Sequence, residues 1–242
     1  MNFVMNNQAF NFAQRWLKPV ACGLFFIAQI NASWAGIALD RTRMIITGDA
    51  RSVSANLTNT SPSIPFLAQS WVEDAHGTKI TSPLMVLPPL QRINGGQKGI
   101  ARVTKTSGIN ALPQDRESLF YLNVREIPPK PDKPNVLQLA IRSRFKFIYR
   151  PAGLGNRDAA AEKLTLTASG SSLAINNPTP FYITVSRISR DGGKALNSKT
   201  VMLAPQSSQT VALSSAVNRG ETLTVNNIND YGADVAVKVA VK

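Results

Sequence analysis

The sequence predicts an all-β protein folded as two sandwiches, and three observations carry that expectation. From about residue 36 onward apolar residues recur at every second position, and nowhere with a helical period. Clusters of glycine, proline, asparagine and aspartate punctuate the chain at spacings of roughly ten residues. The composition shifts after Arg150, where Pro151-Ala152-Gly153-Leu154-Gly155-Asn156 reads as a linker before short strands resume. The expected division is residues 1–35 as an export signal, 36–150 as a first domain, 151–156 as the linker and 157–242 as a second domain. Two domains joined by so short a linker make a cleft between them.

The leader rests on its own chemistry. Arg15 and Lys18 precede the apolar run Pro19 to Ile30, which is too short to span a bilayer as a stable helix, and Ser33-Trp34-Ala35 puts small residues where a signal peptidase reads. Cleavage is expected before Gly36, with Met5 as an alternative start. Cys22 follows a charged rather than an apolar stretch, which argues against lipid attachment. Losing Arg15 and Lys18 lowers the net charge from +13 to +11 and removes the only cysteine, so the mature chain relies on a hydrophobic core without disulfides.

The first domain is read in order. Gly36 to Thr47 is a first strand closed by Gly48-Asp49, and Ser52 to Thr58 is a half-buried strand followed by the turn Asn59 to Pro62. Phe66 to Glu73 runs into a hairpin turn at Asp74-Ala75-His76-Gly77. Pro83 to Ile93 holds adjacent prolines, which suits an edge strand or a switch between sheets. Asn94-Gly95-Gly96 turns the chain into Gly99 to Thr106. Ser118 to Val124 is apolar on both parities, as in a central strand buried on both faces, and Pro128-Pro129 stops it. The longest run is Asn135 to Arg150, in which Leu137, Leu139 and Ile141 alternate with polar residues and Phe145, Phe147 and Tyr149 keep the same parity. At about 3.3 Å per residue it would reach roughly 50 Å, so part of it is expected to lie along an edge or past one. Seven such strands describe an antiparallel sandwich of the immunoglobulin type.

The second domain repeats the pattern on a smaller scale. Its strands are read at Lys163 to Ala168, Ser172 to Asn176, Tyr182 to Arg187, Thr200 to Leu203, Thr210 to Leu213, Glu221 to Val225 and Ala233 to Val241. Asn177-Pro178-Thr179-Pro180 and Asp191-Gly192-Gly193 are its clearest turns.

Taken together, five segments resemble the periplasmic pilus chaperones of the chaperone–usher pathway, the PapD-like family. They are Leu39 to Ile45 (LDRTRMI), Leu112 to Pro129 (LPQDRESLFYLNVREIPP), Asn135 to Pro151 (NVLQLAIRSRFKFIYRP), Asn176 to Val185 (NNPTPFYITV) and Ile228 to Ala233 (INDYGA), in family order over nearly the whole mature chain. The resemblance implies two immunoglobulin-like domains in an L-shaped or boomerang arrangement about the cleft. It implies a non-enzymatic chaperone that binds, folds and caps pilus subunits and passes them to an outer-membrane usher, with no catalytic residue, metal or cofactor. Leu137, Leu139 and Ile141 would enter the open groove of a subunit, and Arg43 and Lys146 would bind the subunit's terminal carboxylate. Glu117, Arg150 and Asp230 match an interdomain salt-bridge network. The short loop Lys130 to Pro134 is similar to the branch that serves rod-like pili, and the second domain lacks a cysteine pair that some members carry. The period puts Lys146 on the face opposite Leu139, so its aim stays open.

Other classes fare worse on the residues. The one histidine, His76, sits in a turn, and no mature cysteine, nucleophile–base pair or metal cluster is evident. Glu73-Asp74 and Asp115 with Glu117 read as solvated carboxylates. The cations are scattered along strands without aromatic interleaving, which excludes nucleic acid as the expected partner, and no stable membrane insertion is expected. The alternative is an exported immunoglobulin-like adhesion or carbohydrate-binding module, against which the scarcity of loop aromatics counts. Asn56 and Asn59 fall in glycosylation sequons by chance. Self-association of the free chain, which would also hide an apolar edge, stays open.

Overall fold

The computed structural model describes residues 36–131 and 137–242, so the expected leader and residues 132–136 lie outside it. The first ten strands are β1 (Ile37–Leu39), β2 (Arg43–Thr47), β3 (Ser52–Asn59), β4 (Phe66–Glu73), β5 (Lys79–Ile80), β6 (Leu84–Leu87), β7 (Leu90–Ile93), β8 (Lys98–Lys105), β9 (Ser118–Ile127) and β10 (Arg142–Arg150). They form a four-stranded sheet in the order β1-β3-β8-β6 and a second sheet in the order β2-β10-β9-β4, where β4 also pairs β5 and β7. Alternate residues of both sheets bury into one core. Leu57, Leu84 and Val103 enter it from the first sheet, and Met44, Ile46, Leu122 and Phe147 from the second. Burying each such side chain is worth about 1.5–3 kcal/mol.

Two expected strands prove to be switches between these sheets. The run Gly36 to Thr47 is not one strand. β1 runs antiparallel to β3 in one sheet, the chain crosses at Asp40 to Thr42, and β2 runs parallel to β10 in the other. The Asp40 carboxylate accepts bonds from Arg41 and Asn56 at the crossing, and its N–H reaches the Asn56 carbonyl. Pro83 to Ile93 divides likewise into β6 against β8 and β7 against β4, because prolines 88 and 89 cannot donate to a ladder.

The remaining strands are β11 (Thr165–Ser169), β12 (Ser172–Asn177), β13 (Ile183–Ser189), β14 (Val201–Leu203), β15 (Ser207–Ala212), β16 (Thr222–Ile228) and β17 (Asp234–Ala240). The sheet β11-β12-β15 and the sheet β14-β13-β16-β17 enclose a second core that includes Leu166, Ile175, Ile183, Val185, Leu203 and Val225. β15 starts earlier and β16 ends later than their alternation suggests, since the added residues are mostly polar and are held by ladder bonds and by side-chain bonds such as Asn227 to the Val235 carbonyl. The last strand is held by more than packing: β17 pairs with β16 throughout, and the Lys242 N–H donates to the Leu166 carbonyl at 2.8 Å.

One turn device occurs in both halves. The Asn59 amide donates to the Ile64 and Ile93 carbonyls, and its Oδ1 accepts the Ser61 N–H. Asn177 does the same with Phe181, Ala204 and Thr179. Each asparagine is fully buried, so its amide replaces the backbone partners that a tight proline-rich turn lacks.

Candidate functional site

The parallel pairing of β2 with β10 makes Arg43 and Lys146 direct register partners, so two cations that are about a hundred residues apart in sequence stand side by side. Both are half-buried. Lys146 Nζ donates to Thr184 Oγ1 at 3.0 Å, and Arg43 donates to the Ile228 carbonyl at 3.2 Å, so each leans toward the second pair of sheets. That fixes the aim of Lys146, which sequence parity had left open. Among the described residues neither cation pairs with a carboxylate, and the Arg43 Nε is buried without a partner. Burial pushes the pKa of both below its ordinary value. Lys146 also feels Arg43, and Arg43 also feels Arg157. Such a site favours an anion: a carboxylate would accept charge-assisted bonds and cancel the mutual repulsion.

The apolar run that leads into β10 has no place in the core. Leu137, Leu139 and Ile141 are 84%, 68% and 52% exposed. The expected strand from Asn135 is shorter than its alternation suggests. The ladder begins at Arg142, where Arg125 of β9 is its partner, and β2 joins only at Lys146. Arg142 to Phe145 therefore have a neighbour on one side, whereas Lys146 to Tyr149 lie between two strands and form no edge. Before Arg142 one backbone bond remains, from the Glu126 N–H to the Ile141 carbonyl at 3.0 Å. Alternation sets which faces are apolar, but only a partner makes a strand.

Arg150, at the end of β10, joins the three residues expected to form a network. Its Nε donates to Glu117 at 2.7 Å, and its two terminal nitrogens donate to Asp230 at 2.7 and 2.9 Å. The second oxygen of Glu117 accepts the Tyr182 N–H at 2.7 Å, and the Glu117 N–H donates to the Pro180 carbonyl. Burial raises the Glu117 carboxyl above the usual carboxylate range even with Arg150 beside it, whereas Asp230 and Glu117 together hold Arg150 above the ordinary arginine value. Arg150 of β10, Glu117 just before β9, Tyr182 just before β13 and Asp230 just after β16 are thus tied together.

A second charged cluster was not legible in the sequence. Glu73, expected to be solvated, is buried at the end of β4. It accepts the Trp71 indole N–H at 2.8 Å and Arg142 at 2.6 Å, with Arg144 at 3.4 Å. Burial opposes ionisation there, but the Trp71 hydrogen bond and Arg142 hold its pKa below the ordinary value. Arg142 also donates to Asn123 at 2.9 Å and stacks near Trp71, and Arg144 lies over the Tyr121 ring. The outer face of the sheet thus clamps the first residues of β10, directly after Ile141. Only the strand order β10-β9-β4, which no local pattern reveals, brings Glu73 and Arg142 together.

His76 is exposed in its hairpin turn, where the Asp74 carboxylate accepts its backbone N–H, and no metal-ligating cluster occurs among the described residues. No helix among them is long and apolar enough to cross a membrane.

The chain matches known proteins over nearly all of the described residues. Residues 36–155 match the family described as pili and flagellar-assembly chaperone, PapD N-terminal domain, and residues 159–238 match pili assembly chaperone PapD, C-terminal domain. The chain is 57% identical over 235 residues to the chaperone protein MrkB of Klebsiella pneumoniae, covering 93% of this chain and all of that one. It resembles the crystal structure of the periplasmic chaperone SfaE with a TM-score of 0.71 and 36% identity, over 85% of this chain and 100% of SfaE. It also resembles the SafB chaperone in the solved complex with the SafA pilin of Salmonella enterica, with a TM-score of 0.74 and 26% identity, over 85% of this chain and 96% of that one.

Proposed function

The chain belongs to the PapD family of pilus-assembly chaperones, and from that premise we propose that it captures pilus subunits by lending them the segment Leu137 to Ile141 while Arg43 and Lys146 hold the subunit's terminal carboxylate. A subunit that lacks one strand exposes an apolar groove and an unpaired sheet edge. Adding a strand from a partner covers both, and chaperone–pilin pairs are a known instance of this mode. Leu137, Leu139 and Ile141 supply alternate side chains for the groove, and the edge of the segment turned away from β9 supplies the ladder. The carboxylate site sets the register, because a slip of one residue would turn all three side chains outward.

The observation that carries this reading is the pairing of Arg43 on β2 with Lys146 on β10, the strand that the exposed segment leads into: two half-buried cations without a carboxylate partner among the described residues. Glu117, Arg150 and Asp230 keep the Thr184 and Ile228 flank beside those cations. Residues 1–35 act as a signal removed before Gly36, residues 36–150 and 157–242 as two domains about the 151–156 linker, and the protein works in the periplasm and hands its subunits to an outer-membrane usher. It performs no catalysis.

Replacing Arg43 or Lys146 with Ala is expected to lower co-purification of subunits at least about tenfold, one lost charge-assisted contact being worth roughly 1.5–3 kcal/mol, while the variants unfold within about 1 kcal/mol of the parent. Leu139→Glu is expected to weaken subunit binding by a similar factor, since it drives a charge into an apolar groove. Capture by both cation variants at the parent level overturns the carboxylate anchor, and unchanged capture by Leu139→Glu overturns the donated segment.

A further inference from the structure

Glu126 continues the run Phe120, Leu122 and Val124 on the core face of β9, and it is the one ionisable residue in that run. Its side chain is buried and accepts the Ile37 N–H at 2.7 Å. Among the described residues no lysine or arginine pairs with it. A buried carboxylate held by a single neutral donor is costly unless a cation joins it. The backbone of Gly36 lies against the same carboxylate. A β-carbon on Gly36 would lie 2.7 Å from Glu126 Cδ, 3.0 Å from Oε1 and closer still to Oε2, so the carboxylate is packed directly against this residue. A residue's nitrogen and its β position are about 2.5 Å apart, which puts the Gly36 nitrogen within about 5 Å of the carboxyl carbon. The Gly36 carbonyl is pinned by the N–H and hydroxyl of Thr60, so this end of the chain is fixed in place.

We propose that Glu126 is a binding site for the chain's own mature amino terminus: removal of the leader creates an α-ammonium group on Gly36 that pairs with this buried carboxylate. The inference rests on the reading above that cleavage falls before Gly36. Hydrolysis of the Ala35–Gly36 amide by water, catalysed by a signal peptidase, leaves a carboxylate on Ala35 and an amine on Gly36 that takes up a proton. The unprocessed chain has a neutral amide nitrogen at the same point, so processing supplies the missing cation. Competing charges face elsewhere. Glu126 is flanked in the ladders by Ala68 and Ile141. Arg125 and Arg142 project on the outer face toward Trp71, and Arg92 and Lys98 on adjoining strands are exposed. Because the Glu126 N–H also holds the Ile141 carbonyl, the same residue joins the new terminus to the base of the donated segment.

The sign of the pH dependence is fixed. An α-amine titrates near 7.7–8.0 when unperturbed, and a carboxylate within about 4–6 Å raises that value by about one unit or more. The pairing therefore stabilises the fold fully below about pH 8 and is lost as pH rises through the folded value, a change of about tenfold or more in the folding equilibrium. The test uses the full chain secreted to the periplasm, with its first residue read by intact mass. Urea unfolding from pH 6 to pH 10 compares it with Glu126→Gln and with a form that retains Ala35 as an added first residue. The parent is expected to lose at least about tenfold more than either comparison between pH 7 and pH 10, and if Glu126→Gln fails to fold, the Ala35 form alone decides. Parallel curves, or a mature chain that does not begin at Gly36, overturn the proposal. Subunit capture on the same samples reports separately: its absence beside an intact pH difference sinks the chaperone mechanism and leaves the terminus pairing standing.

Discussion

At the scale of single residues, the site works by leaving charge unmatched. Lys146 is penalised by burial and by Arg43, so its charged form is less favourable in the folded chain than in the unfolded one. The folded chain bears that cost in full at neutral pH. It is shed as pH rises through the depressed value and has gone above the ordinary lysine value of about 10.4. Lys146→Met is therefore expected to leave the free chain at least as stable as the parent at pH 7, with the two converging above about pH 10.5 in urea titrations. Subunit capture by the parent should fall over the same rise in pH, because a neutral amine no longer holds a carboxylate. A clear loss of stability in Lys146→Met at pH 7 would mean that the Thr184 bond outweighs the charge penalty.

At the scale of elements, the difference between a predicted and a formed strand is the difference between pattern and partner. The parity of Leu137, Leu139 and Ile141 was legible, and so was an edge somewhere along the run, because a run of that length outreaches one sheet; that these three residues lie on it came only from the family resemblance. Where the ladder starts was not, since it depends on where β9 and β2 end, and the single expected strand from Gly36 to Thr47 divides at Asp40 for the same reason. Arg43 and Lys146 came from matching short motifs, whereas Glu73 belongs to no such motif and its burial follows from strand order alone. The Glu73 clamp governs how firmly β10 begins. Glu73→Gln is expected to cost about 1–3 kcal/mol in urea unfolding with an unchanged slope, and to speed hydrogen exchange at residues 142 to 145. If exchange at those amides stays at the parent rate, the clamp plays no part in setting the base of the segment.

At the scale of the whole molecule, the first sandwich carries the exposed segment while residues of the second, Thr184 and Ile228, help to hold the two cations. Arg150 joins the halves through Glu117 and Asp230. Asp230→Asn is expected to leave both cores folded, since it keeps one hydrogen-bond acceptor for Arg150 and the loss of a charge-assisted contact costs about 1.5–3 kcal/mol, yet to reduce subunit capture by loosening the flank beside Arg43. Capture equal to the parent would separate the network from the site. Subunit capture turns on backbone N–H groups that stay unpaired until a subunit arrives. Hydrogen exchange of residues 137–141, read in the free chain and in its complex with a subunit, measures that directly. Fast exchange in the free chain and strong protection in the complex, with protection lost in Lys146→Ala, is the expected result; a complex that forms and leaves those amides exchanging as fast as before contradicts it.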